Sequence, residues 1–507
     1  MNQPDKSNNI TILFFIPFLG GPFLFLLLLM LPSPESLTPE AQRVAGVALW
    51  MSIWWISGII PVGATALIPF VMFPLLGIMG GKAAVQRFAH PLNFLLMGGF
   101  MLAAAMERWN LHKRIGLAVI AWSGLTPPRI ILGFMLGTAF LSMWISNTAT
   151  SLMMLPVAIA VLAKIKDVAG EEASQQIAPA LMLSIAYAAS IGGVGTLVGT
   201  PPNAVFATQL SELYGREIGF FEWLEIGLPV VFILLPIAWL YLVRFQFKLP
   251  ENLGLEKDNM IRDERKNLGP LSIGEWLVGL VFCCTAFGWT FRKPIEIGDF
   301  HLPGLQDFFP LLDTDATIAM CCALALFVLP VNIKKREFVL DMKSALKIPW
   351  DVLLIIGGGV CLAGGFSESG LSHWIANQMK FLADYPPVLI VLLSVALVVF
   401  LTELTSNTAT ATIFMPIMGA IAIALGQNPL LLMIPTCIGI SMAFMLPAAT
   451  PPNAVVFGSG KVSIQQMART GFCMNLIAIT LITLITYFLT NFLIGVKLNE
   501  IPGWVIK

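Results

Sequence analysis

Ser146-Asn147-Thr148-Ala149-Thr150 is the stretch that decides how this chain is read. It lies inside an apolar run, between Ile130-Ile131-Leu132 and Leu152-Met153-Met154-Leu155-Pro156. None of the five is charged, yet every side chain except the alanine's can donate or accept a hydrogen bond. The same five residues return as Ser406-Asn407-Thr408-Ala409-Thr410, 260 positions later, and Pro416 matches Pro156 at that offset. Polar groups left without partners in hydrocarbon cost several kcal/mol each. We read the two copies as facing each other across one binding site.

The composition sets the surroundings. Of 507 residues, 57% are apolar and 11% charged, which points to an integral membrane protein rather than a large soluble domain. Basic and acidic residues balance at 29 each, so the charge gives no case for nucleic acid. The apolar run over 10–31 is too long for a signal peptide and no A-x-A site follows it, so it reads as a first span. The seven cysteines show no C-x-x-C spacing and fall mostly in apolar segments. They are expected as free thiols packed like small hydrophobes. The four histidines are scattered, which argues against a metal centre.

The predicted fold is an all-α polytopic membrane protein with about 11 transmembrane helices, each near 20 residues, plus two re-entrant helical hairpins. An N-terminal span (1–38) precedes repeat 1 (39–246), which holds a hairpin over 128–163 and a broken helix over 178–206. A cytoplasmic loop (247–270) leads to repeat 2 (271–496), with a hairpin over 386–424 and a broken helix over 429–457, then a C-terminal tail (497–507). Lysine and arginine favour the inner loops by roughly two to one under this topology, as the positive-inside rule requires. That places the chain in the plasma (inner) membrane with its N-terminus cytoplasmic and its C-terminus outside.

The duplication extends beyond the pentapeptide. Gly98-Gly99 matches Gly358-Gly359, and Leu111 matches Leu371, again at 260. A second motif, Gly199-Thr200-Pro201-Pro202-Asn203-Ala204-Val205, returns as Ala449-Thr450-Pro451-Pro452-Asn453-Ala454-Val455 at an offset of 250. The ten missing residues are expected in the loop around Lys164–Gln176. Five crossings plus a hairpin per repeat is an odd count, so the copies enter from opposite faces: an inverted-topology repeat with its site near the midplane.

Thr-Pro-Pro-Asn cannot continue a helix, because proline lacks a donor and restricts the residue before it. Each interruption frees carbonyls that can coordinate a cation and starts a half-helix whose N–H groups attract an anion. No lysine or arginine falls near the motifs, so an anionic substrate must be neutralised by helix ends and co-bound cations. Neutral hydroxyl, amide and carbonyl oxygens suit Na⁺. The plainer alternative is that Ser, Thr and Asn satisfy neighbouring backbone while the prolines only kink. Glu403 is the one carboxylate beside a tip, and its counterpart is Met143. A hydrogen-bonding brace is favoured for it over a part in ion coupling.

These motifs resemble the divalent anion/sodium symporter family, carriers of succinate, malate, fumarate and citrate. The likeness rests on the paired Ser-Asn-Thr tips, on Ala188-Ala189-Ser190-Ile191-Gly192-Gly193 leading into Gly199-Thr200-Pro201-Pro202-Asn203, and on Phe100-Met101-Leu102 through His112-Lys113-Arg114-Ile115. It covers nearly the whole chain. Members often carry Thr-Glu-Ala-Ile-Pro where this chain has Ser57-Gly58-Ile59-Ile60-Pro61. The resemblance implies a homodimer in membrane lipid, each protomer with a scaffold and a transport domain that moves as an elevator. It implies one sodium site at Ser142, Ser146, Asn147 and Gly199, and another at Thr402, Ser406, Asn407 and Ala449. The dicarboxylate would meet Ser146, Asn147, Thr148, Ser406, Asn407 and Thr408, with Thr200, Pro201, Thr450 and Pro451 beside them. No organic cofactor is implied, and at least two sodium ions are.

Two rival carriers share this chemistry: a sodium-independent dicarboxylate antiporter and a sodium-coupled sulfate symporter. The antiporter should need a further positive charge near the anion, and the motifs supply none. An intramembrane hydrolase needs a base beside its nucleophile, and neither Ser146 nor Ser406 has histidine or lysine in its segment, so the protein is read as no enzyme. With one tip per carboxylate, a monocarboxylate leaves one set of buried donors unpaired, at about 1–3 kcal/mol each. Lactate is therefore expected to compete only weakly against labelled succinate for uptake; competition at parity would contradict the two-tip reading.

Overall fold

The computed structural model describes residues 6–34, 36–251, 253, 266, 268–297, 300–493 and 500–505. Much of the loop expected over 247–270, and residues 497–499, 506 and 507 of the expected tail, lie outside the described residues. Among those described, helices of eight residues or more number twenty. Eight of the helical segments are long and apolar enough to cross a membrane, and six shorter apolar ones accompany them. The protein is a multi-pass membrane protein.

In chain order the helices open with α1 (Lys6–Met30), α2 (Pro39–Ser57), α3 (Ile68–Leu75), α4 (Gly81–Phe88), α5 (Pro91–Arg108) and α6 (Leu111–Ser123). The first motif follows on α7 (Pro127–Ser142) and α8 (Asn147–Ala169), the second on α9 (Glu171–Gly193) and α10 (Pro201–Tyr214), and α11 (Phe220–Leu240) completes that half. The second half runs through α12 (Ile273–Thr290), α13 (Asp315–Val328), α14 (Trp350–Glu368) and α15 (Leu371–Gln378). It then repeats the motif region as α16 (Pro387–Thr402), α17 (Asn407–Ala424), α18 (Leu430–Ile440) and α19 (Pro451–Gly458), closed by α20 (Ile464–Leu493).

Proline sets many of these starts. Pro127, Pro201, Pro387 and Pro451 stand in the first turn of their helices, where a missing N–H costs nothing and the fixed φ favours helix. Elsewhere the structure departs from the sequence reading. The apolar run 62–79, long enough to count among the eleven predicted spans, is not one helix: a single turn over Val62–Thr65 ends at Ala66, and α3 begins at Ile68. Pro69 and Pro74 remove donors there, and α14 approaches so closely that a Cβ on Gly358 would lie 2.1 Å from the Ala66 carbonyl oxygen. The residues that distinguish the first copy from the second are helix, not loop. α8 has 23 residues where α17 has 18, and α9 starts one residue after Gly170. All seven cysteines are free, but only Cys361 and Cys437 are buried; Cys283, Cys284, Cys321 and Cys473 are exposed, where an apolar side chain would meet lipid.

Packing sorts the helices into two groups, which meet where α10 and α17 lie along α14. The two helix–tip–helix units and the two broken helices form a body with α11 and α20: α7 and α8 pack on α9, α16 and α17 on α18, and α20 on both α16 and α18. The halves interlock here, since α10 lies on α17 and α19 lies on α8 and α9. The second group is a frame, in which α1 pairs with α2, α13 with α5 and α12, and α14 with α3 and α4. Short helices α6 and α15 lie against α7 and α17 of the body. Adjacent glycines on the frame helices divide their work. Gly98 of α5 abuts the backbone of Ala319 in α13, and Gly358 of α14 abuts Ala66. Gly99 and Gly359 turn instead toward the body, toward Val198 and toward Thr412 and Gln209.

Candidate functional site

Four helices begin at the four motif copies. Ser146 caps α8 and Ser406 caps α17, while Thr200 and Thr450 precede Pro201 and Pro451 at the starts of α10 and α19. Thr200 (φ −142°, ψ 140°) and Thr450 (φ −141°, ψ 148°) adopt nearly the same extended conformation. None of the four helices has an acidic residue in its first turn. Their N-terminal dipoles thus meet no acid of their own helix, and of the four only α8 has a side-chain cap, Ser146 Oγ on Ala149 N; such helix ends favour an anion.

The tips repeat atom for atom. Ser142 Oγ donates to Asn147 Oδ1 at 2.5 Å, and Thr402 Oγ1 donates to Asn407 Oδ1 at 2.6 Å. In the first copy Ser142 Oγ also lies 2.7 Å from the Ala189 carbonyl oxygen. One hydroxyl proton cannot serve two acceptors at once, so this cluster of neutral oxygens is short of positive charge. Nearby, a Cβ on Gly199 would stand 2.4 Å from the Gly193 carbonyl oxygen and 3.0 Å from that of Ser142, and one on Gly193 would stand 2.6 Å from Asn147 Oδ1. Ser142, Asn147, Gly193 and Gly199 are thus gathered in one place. The donor set suits a hard monovalent cation.

The remaining site residues are distributed as follows. Ser146 is exposed, Asn147, Thr148, Ser406 and Asn407 are partly buried, and Thr408 is buried. Ser146 Oγ accepts from Ala149 N at 3.2 Å, whereas the Ser406 hydroxyl makes no such cap. Thr200, Ala449 and Thr450 are buried, Pro201 is partly buried and Pro451 is exposed. Thr450 Oγ1 is buried without a partner, and buried polar atoms rarely stay so. Among the described residues no hydrogen bond joins the two tips. They are linked through the broken helices, each of which packs on the opposite half.

Several residues that shape the site escaped the sequence reading. Asn203 Nδ2 donates to the carbonyls of Gly193, Val194 and Thr196, at 3.2, 3.3 and 2.7 Å. Asn453 Nδ2 does the same to Ala443 and Leu446, at 3.1 and 3.0 Å. Gly193 and Ala443, like Thr196 and Leu446, are 250 positions apart, so both asparagines clamp equivalent turns of unwound backbone. Their recurrence in both copies of the motif was the available signal. Long helices lie over these segments through glycine: a Cβ on Gly227 of α11 would stand 2.6 Å from Val194 O, and one on Gly471 of α20 would stand 2.2 Å from Phe444 O.

Glu403 is 4% exposed and joins the second tip to its unwound segment. Its Oε1 accepts from Phe444 N (2.7 Å), Met445 N (2.9 Å) and Asn475 Nδ2 (2.8 Å), and Oε2 accepts from Leu446 N (3.1 Å). The first copy makes the equivalent tie from the other side, where Thr196 Oγ1 donates to the Met143 carbonyl. Asn475, an isolated amide in the apolar middle of α20, carried no signal of this role. Each donor orphaned in a buried site costs about 1–3 kcal/mol. Glu403→Leu is therefore expected to lower the melting temperature of detergent-purified protein substantially, and Glu403→Gln, which keeps an acceptor oxygen, less so. Equal melting temperatures for parent and Glu403→Leu would contradict the brace.

Comparison with known proteins identifies the family. The family model described as the sodium:sulfate symporter transmembrane region matches residues 18–496. A sodium-dependent dicarboxylate transporter, SdcS, of Staphylococcus saprophyticus is 39% identical over 503 residues, covering 98% of this chain and 95% of the relative. SdcS of Staphylococcus aureus is 40% identical over 485 residues, covering 95% and 92%. Among solved structures, the YdaH transporter of Alcanivorax borkumensis aligns with a TM-score of 0.55 at 14% identity, over 81% of this chain and 88% of that one. MtrF of Neisseria gonorrhoeae aligns with a TM-score of 0.54 at 12% identity, over 93% and 95%. These two speak for the fold alone. The duplicated polar tips, the paired broken helices and a match over nearly the whole length place this chain in the sodium:sulfate symporter family.

Proposed function

We propose that the protein is a secondary active transporter that carries a four-carbon dicarboxylate of the succinate, malate and fumarate class together with sodium. The observation that carries this reading is the set of four helix N-termini at the duplicated motifs, none with an acid in its first turn. A dianion there is stabilised by backbone N–H groups and by the hydroxyls of Ser146, Thr148, Thr200, Ser406, Thr408 and Thr450, with Asn147 and Asn407 donating their amides. Sodium is co-transported: one ion on Ser142, Ser146, Asn147 and the Gly199 carbonyl, another on Thr402, Ser406, Asn407 and the Ala449 carbonyl. Each asparagine then serves both substrate and ion, so filling one set of ligands orients the other. The SdcS relatives, sodium-dependent dicarboxylate transporters, support a dicarboxylate substrate and sodium.

In this reading the chain crosses the membrane eleven times, with α7–α8 and α16–α17 as re-entrant hairpins of two inverted repeats, the N-terminus inside and the C-terminus outside. Alternating access comes from the hairpin body moving as an elevator against the frame, and the frame pairs with a second copy in a homodimer. Sulfate is a second substrate reading, favoured by the description of the family model. The test is uptake into proteoliposomes. Labelled succinate is expected to accumulate under an inward sodium gradient and to be displaced little by sulfate. Equal uptake with potassium or choline in place of sodium would contradict coupling, and uptake of sulfate in preference to succinate would transfer the reading to the sulfate carrier.

A further inference from the structure

Arg87, in α4, joins three helices that are remote in the chain. Its Nε donates to Glu212 Oε1 at 2.8 Å and its Nη2 to Glu368 Oε1 at 2.7 Å. Glu212 lies two residues from the end of α10, and Glu368 is the last residue of α14. The guanidinium has a built seat. It lies over Gly364 of α14, where a Cβ would stand 2.2 Å from Nε, and Nη1 faces Met79 Sδ at 3.7 Å. Arg87 and Glu212 side chains are 17% and 19% exposed, so the pair is shielded more than a surface ion pair.

The partition of these residues gives the cluster its meaning. Arg87 and Glu368 belong to the frame, and Glu212 belongs to the body. α10 begins at Pro201, beside the candidate site, and at 1.5 Å per residue a continuous helix carries Glu212 about 17 Å away as the far end of one rod. The duplication has no equivalent at the other copy. The positions matching Arg87, Glu212 and Glu368 are Lys347, Val462 and Arg108. Val462 has no charge to offer, and Arg108 pairs with Asp341 (2.9 Å) and Glu337 (3.9 Å), which follow α13 in the frame. Among the described residues, a shielded charge pair between body and frame thus exists at the end of α10 and none at the matching position just beyond α19.

We propose that Arg87–Glu212 is a latch that holds the conformation described here and must open for the body to reach its other position, with Glu368 retaining Arg87 in the frame when it does. The latch rests on the moving-body reading given above. A one-sided latch makes the two end states unequal in energy even though the halves repeat each other, and so sets which end state the empty carrier prefers.

Distance measurement between spin labels tests it in full-length protein in liposomes. Labels are carried by unnatural amino acids at exposed Lys82 of the frame and exposed Glu217 just beyond α10, leaving the seven native cysteines in place. The parent is expected to show two distances, the conformation described here dominating without substrate. Glu212→Gln is expected to lower the ratio of that conformation to the other by about threefold or more, the scale of a shielded ion pair. Glu368→Gln leaves the Arg87–Glu212 bond in place and is expected to shift the ratio less. Arg87→Lys, which keeps the charge but cannot bridge both carboxylates, is expected to fall between. An unchanged ratio in Glu212→Gln, or equal shifts in the two Glu→Gln variants, overturns the latch while the moving body stands. A single distance in every variant, with and without sodium and succinate, overturns the moving body and the latch together.

Discussion

A helix broken inside a membrane leaves backbone N–H and carbonyl groups that no water can reach, and this protein breaks two of them in the same way. Each break must therefore be satisfied from within. The side-chain amides of Asn203 and Asn453 take up the carbonyls on one side of the unwound segments. Glu403 takes up three N–H groups in the second copy, and Thr196 closes the first copy onto Met143. These clamps leave unfilled the helix N-termini without acids and, in the first copy, an oxygen cluster with too few protons.

The sequence showed where the chain breaks but not what holds each break. Thr-Pro-Pro-Asn forbids continued helix from first principles, and the starts of α10 and α19 at Pro201 and Pro451 follow from that, whereas α9 and α18 end earlier, at Gly193 and Ile440. The tips were visible because Ser-Asn-Thr is polar in an apolar run and occurs twice. The clamps were invisible for a different reason. A donor's partner is fixed by packing, and nothing about a single Asn475 in α20 tells which carboxylate it meets. The close passage of Gly227 and Gly471 over unwound carbonyls is likewise a property of two helices together. Backbone approach also explains why 62–79 is interrupted, since Gly358 packs against Ala66 from the other half of the chain. The exposure of four cysteines reflects a surface that faces lipid, where a thiol costs no more than a methyl group.

The two halves are alike where they make the site and unlike where they meet their surroundings. The Ser142–Asn147 and Thr402–Asn407 pairs agree within 0.1 Å, yet the ties behind them differ in chemistry, a hydroxyl in one copy and a carboxyl with four donors in the other. The first copy has the longer helix after its tip, while the helices before the two tips are equal in length.

The central claim is that Asn147 and Asn407 each face both the dianion and a cation. Asn→Asp at either position keeps the size and adds a negative charge; at about 4 Å from a carboxylate that repulsion is on the order of 4 kcal/mol for an effective dielectric near 20. Sodium and succinate binding measured separately on monodisperse Asn147→Asp and Asn407→Asp protein tests the claim most directly. The account predicts that sodium affinity holds or rises while succinate affinity collapses in both variants. Succinate affinity within about threefold of the parent in both, well under 1.4 kcal/mol, would contradict it.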